Sequence, residues 1–155
     1  MSRDNQAEKT ATLAAPESPA ARRARALGTL AELVRRAMGC QAAVISIPGE
    51  QRPGAERMAA VAGPDDGVWP GAAVAGDDAH LLADPVAAGD LGLPFYAGVP
   101  LRTSDGAVYG TLAALDARER ELGDDALETL KLFARLVRDV IEPPAEPAGQ
   151  RARPI

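Results

Sequence analysis

Two apolar runs joined by a short polar turn constrain this chain more than any other feature. Phe95-Tyr96-Ala97-Gly98-Val99-Pro100-Leu101 leads through Ser104-Asp105-Gly106 to Val108-Tyr109-Gly110-Thr111-Leu112-Ala113-Ala114-Leu115-Asp116. Both side-chain parities are apolar: Phe95, Ala97, Val99 and Leu101 against Tyr96 and Pro100, then Val108, Leu112 and Ala114 against Tyr109, Ala113 and Leu115. A strand with one wet face alternates polar with apolar, so this pattern predicts two central strands covered on both sides. Gly106 accepts the positive φ that a tight turn after Asp105 needs. The segment therefore reads as an antiparallel hairpin inside a sheet.

A chain of 155 residues whose ends are rich in Pro and Gly has room for one core. Its apolar fraction is an ordinary 46%, but only 3% of residues are aromatic, so the core must be thin and closely packed. Residues 1–20 are polar and carry no long apolar run, so neither a secretion signal nor a membrane span is expected there, and the expected compartment is the cytoplasm. A net charge of −5 argues against a nucleic-acid surface, which needs an excess of Lys and Arg. The charges are unevenly spread. Arg22, Arg23, Arg25, Arg35 and Arg36 lie in or beside the first helix, whereas Asp65, Asp66, Asp77, Asp78, Asp84 and Asp90 crowd the middle and would repel an anionic ligand there.

Ser18-Pro19 forms a cap and first-turn pair for a helix reaching Met38, with Gly39 as its stop. Leu27, Leu30, Val34 and Met38 make its apolar stripe, opposite Arg25, Glu32, Arg35 and Arg36. Gln41–Ile47 is a strand by β-branched content, and Arg57–Ala62, after the turn at 48–54, is a weaker strand nearer the sheet edge. From Gly63 to Pro94 the chain is irregular, and a long loop is expected there, with a short strand at His80–Ala83 and one helical turn. A last helix runs from Asp124 to Ile141. Its apolar arc is so broad, with Leu132 and Leu136 added, that it must touch two things: its own sheet, and either the first helix or a second subunit. Pro143-Pro144 end it.

The string Phe95 to Leu101, the turn, Gly110-Thr111-Leu112 and Asp116 together resemble the late strands of GAF domains, and Arg118 to Leu130 is similar to that family's approach to its last helix. The likeness covers roughly Arg22 to Glu142, more weakly upstream. It implies an α/β (α+β) fold: a mainly antiparallel sheet of five or six strands, terminal helices on one face and an irregular loop on the other. It divides the chain into a tail at 1–20, a domain at 21–142 and a Pro/Arg-rich tail at 143–155. It implies a sensory or regulatory module in signal transduction, and in many GAF proteins the terminal helices of two chains pack together, so a homodimer is expected; packing of both helices within one chain is the competing account. The family often has a longer helical insertion before the Phe95 strand, and the short segment from Pro85 to Pro94 implies a cramped or absent pocket.

The resemblance places Trp69 where family members build the wall of a ligand cavity; an indole capping the sheet is the alternative. Tyr96, with Phe95 beside it, offers a hydroxyl to a ligand, or satisfies a loop carbonyl instead. His80 is the single histidine, and although Asp77, Asp78 and Asp84 lie near it in sequence, a solvated cluster is the stronger reading and no metal site is assigned. Trp69, His80, Tyr96 and Phe95 are thus the candidate ligand residues. Cys40, the single cysteine, excludes an internal disulfide and reads as a buried thiol, with a redox role as the alternative. Family members that attach a bilin use a cysteine in the central region, and none stands there. No Gly-x-Ser-x-Gly elbow, phosphate loop or paired-histidine motif occurs, so neither an enzyme nor a cofactor is expected. A small neutral or cationic effector, or a signalling protein, is the expected partner of the module; the alternative is a non-enzymatic dimeric adaptor with a vestigial pocket.

Overall fold

The computed structural model describes residues 16–49, 57–65, 67–75 and 79–141. Most of the expected tail at 1–20, all of the tail at 143–155 with Pro143-Pro144, most of the turn at 48–54, Asp66, Asp77 and Asp78 lie outside the described residues. In order come α1 (Pro19–Met38), β1 (Ala42–Ile47), β2 (Met58–Ala62), α2 (Ala72–Ala75), a 3₁₀ helix (Ala79–Ala83), α3 (Pro85–Asp90), β3 (Phe95–Arg102), β4 (Val108–Asp116) and α4 (Asp124–Ile141).

Local chemistry sets the helix ends as expected. The Ser18 side chain accepts from the Ala21 N–H at 3.1 Å, and Pro19 occupies the first turn, where no donor is missed. Gly39 closes α1 at φ 63°, its N–H donating to the Arg36 carbonyl at 3.2 Å. The hairpin turn also forms as expected, with Gly106 at φ 96° and its N–H donating to the Thr103 carbonyl at 2.9 Å.

The sheet is antiparallel throughout, in the order β2-β1-β4-β3. It divides the core in two. On one face α1 and α4 cover Ala43, Ile45, Phe95, Ala97, Val99, Leu101, Leu112 and Ala114. On the other, the middle of the chain covers Ala42, Val44, Ala113 and Leu115. This is the expected arrangement of layers.

Three expectations are corrected. The described residues form four strands rather than five or six. His80–Ala83 lies in a 3₁₀ helix rather than a strand, because the Asp84 carboxylate accepts from the Val86 and Ala87 N–H groups and winds the chain directly into α3. With no strand beyond it among the described residues, β3 is an outer strand, and Gly98, Pro100 and Arg102 face solvent. The central pair is therefore β1 with β4: every residue of β1 is buried, and Leu112 to Leu115 are 0% exposed. Pro100, which brings no N–H, fits an outer strand better than an inner one.

Candidate functional site

The sheet face opposite the terminal helices, where the candidate ligand residues were expected, is filled by the chain itself. Leu82 of the 3₁₀ helix, Ala88 of α3 and Leu93 are all 0% exposed and pack with Val44, Ala113 and Leu115. Trp69 and Tyr96 pack at the margin of this cluster.

The Tyr96 hydroxyl and the His80 ring both meet partners within the chain. The Tyr96 hydroxyl donates to the Ala83 carbonyl at 2.5 Å, and burial, followed by the nearby Asp84 carboxylate, raises its pKa. Ser46, on β1 and only 4% exposed, hydrogen-bonds Nδ1 of His80 at 2.6 Å. A serine and a histidine in contact are the beginning of a nucleophile–base pair, and this contact, 34 positions apart in sequence, was not legible in it. Ser46 is closed in by the filled face, so the pair fastens the 3₁₀ helix to the sheet. Tyr96 fastens the other end of the same segment.

Trp69 is half-buried and lies against two glycines: a Cβ on Gly63 would come within 2.7 Å of its Nε1, and one on Gly71 would also strike the ring. The indole thus caps the sheet, and the absence of side chains at both glycines makes room for it. His80, Trp69 and Tyr96 share this face, whereas Phe95, one residue away in a strand, points to the helix side. Phe95 and Tyr96 do meet along the border of a polar groove of about 490 Å³, together with Glu119, Arg120 and Glu121.

Arg120 is the residue that sequence reasoning missed. Its guanidinium donates to the Gly39 carbonyl at 2.8 Å and the Met38 carbonyl at 2.7 Å, and stands 5.0 Å from the Phe95 ring centroid. It so ties the end of α1 to the start of β3. It also lies 3.6 Å from the Asp116 carboxylate, which is 2% exposed. Burial alone would raise the Asp116 pKa, but the Arg118 N–H, donating at 3.0 Å, and the Arg118 guanidinium outweigh it and hold the carboxyl below its usual value. Cys40 is buried, its S–H directed to the Ala42 carbonyl at 3.1 Å, and burial raises its pKa, which disfavours a reactive thiolate.

A family model for the GAF domain matches residues 22–141. The chain belongs to the GAF domain family. Solved GAF structures carry the same fold: the cyanobacteriochrome receptor PixJ, studied dark and under steady-state illumination, aligns over 81% of this chain and 99% of that one at 16% identity and a TM-score of 0.55. The blue-light-absorbing form of the Thermosynechococcus elongatus PixJ GAF domain aligns over 82% and 91% at 13% identity, with a TM-score of 0.55. In sequence, the chain is 36% identical over 59 residues to the diguanylate cyclase DgcP of Escherichia coli strain K12. That match spans 38% of this chain and 17% of the length of DgcP. GAF domains are in general sensory and regulatory signalling modules, and that much carries over from the family. No helix among the described residues is long and apolar enough to cross a membrane.

Proposed function

We propose that this protein is a non-enzymatic, cytoplasmic GAF module of signal transduction that senses a small neutral or cationic effector, or a signalling partner, and relays through α1 and α4 as a homodimer. The observation that carries the reading is the leucine surface of these helices. Leu33 of α1 is 46% exposed, and Leu132 and Leu136 of α4 are 53% and 48% exposed. A groove of about 690 Å³ runs between Ala26 and Leu30 of α1 and Leu136 and Val140 of α4. Leu132 and Leu136 stand one turn apart on α4, and exposed leucines on these two paired helices favour a partner, a second copy of the chain being the simplest one. An effector acts on such a pairing only by its differential affinity for two helix arrangements.

Native mass spectrometry of freshly purified protein tests this by reporting subunit number and any co-purified molecule together. A dimer that becomes monomeric in the Leu132→Glu/Leu136→Glu variant is expected; a wild-type monomer overturns the relay. The filled face favours a second reading, an adaptor whose pocket is vestigial. A thermal-shift screen separates the two, since an effector raises the melting temperature with its occupancy and an adaptor shows no such compound.

A further inference from the structure

A groove on the opposite flank of α4 has chemistry that neither the filled sheet face nor the leucine surface uses. Lys131, Arg135 and Arg138 recur at i, i+4 and i+7 along α4, which sets them in one row. That row borders β3, against which α4 packs, and Arg102 of the strand joins it around a groove of about 340 Å³. The groove floor is apolar, made by Val99, Pro100 and Ala134, and no carboxylate is among the lining residues. In a chain of net charge −5, four cations around one concavity repel each other, and a bound anion relieves that repulsion. Arg102 spends one N–H on the Gly106 carbonyl at 3.1 Å, and Arg138 has Asp139 at 4.0 Å from Nε. Each guanidinium carries five donors, so donors remain on both.

Two kinds of anion suit a cationic groove beside an outer strand: an extended acidic peptide, or a small molecule. Pro100 offers no N–H to the open edge, which works against strand addition. The volume falls in the range of small-ligand sites, roughly 300–1,000 Å³, and such sites pair apolar walls with a few polar groups. We propose that this groove binds a small organic phosphate, its oxygens held by Arg102, Lys131, Arg135 and Arg138 and its carbon body resting on Val99, Pro100 and Ala134.

Calorimetric titration at low salt with phenyl phosphate and with inorganic phosphate tests it. Saturable binding of phenyl phosphate at one site per chain, tighter than inorganic phosphate and weakened by added salt, is expected. The Lys131→Glu/Arg135→Glu variant should weaken it about tenfold or more, because each change replaces an attraction by a repulsion. Arg22→Glu/Arg23→Glu, at the leucine groove, should leave it unchanged. An Arg102→Ala variant repeats the test on the strand should the helix variant fold poorly. Equal affinity for the two phosphates, loss in the Arg22/Arg23 variant instead, or tighter binding of an acidic peptide than of phenyl phosphate would overturn the proposal.

Discussion

Gly110 shows how a single side-chain hydrogen can hold a sheet's geometry. It lies in β4 beside β1, and a Cβ there would meet the backbone oxygen of Ser46, which has no flexible side chain to move aside. Gly110→Ala should therefore destabilise the fold by about 1–3 kcal/mol, as overpacking does, and a urea titration would show it as a lower midpoint with an unchanged slope. Asp116 gives a pH signature. Its carboxyl titrates below the usual value in the folded chain, so its contribution to stability is complete above the unfolded pKa, about 3.9, and is lost as the pH falls through the lowered folded value. Glu32 adds to the same acid limb: hydrogen bonds from Arg35, then Arg36, hold it at about 2. Stability should be flat in these groups from pH 7 down to about 5 and fall below about 4, with a shallower fall in Asp116→Asn. Cys40, buried with a raised pKa, should resist thiol labelling at neutral pH until denaturant is added. Rapid labelling of the native protein would restore the redox account.

Among the elements, the ends of α1 were legible, whereas the place of β3 in the sheet, which its neighbours set, was not. Ser18, Pro19 and Gly39 bound α1 through bonds made within a few residues, so its ends could be read from sequence. Asp124–Ile141, the span expected for α4, is also the span observed. The apolar run of β3 was read correctly as a strand but misplaced to the centre, since a proline and a glycine count as apolar in a pattern yet tolerate water at an edge. The expected strand at His80–Ala83 fails for a different reason, while the one helical turn expected in this region is present as α3: Asp84 caps that helix, and the residues before it wind into it. Tyr96 holds this segment down, and Tyr96→Phe removes its hydroxyl from the Ala83 carbonyl. A loss of about 0.5–1.5 kcal/mol is expected. Amide exchange should quicken from Ala79 to Leu93 while α1 and α4 keep their protection, and uniform quickening across the chain would contradict the fastening role.

At the scale of the molecule, the two apolar clusters share β1 and β4, whose side chains alternate between them. Neither cluster keeps its floor if the other melts, so unfolding should be a single transition. Trp69, the only tryptophan, reports on the filled face, and helical circular dichroism reports chiefly on α1 and α4. Their urea midpoints should coincide; an earlier fluorescence midpoint would mean that the middle segment opens on its own.

The ends of α1, the β3–β4 turn and the two-sided burial of β4 were determined by the sequence alone, because each rests on bonds or periodicity confined to neighbouring residues. Only the tertiary structure decided that β3 is an outer strand, that Ser46 meets His80, and that Arg120 ties α1 to β3. Those facts depend on which surfaces meet across long stretches of chain, and a contact between residues far apart leaves no local pattern in the sequence to announce it.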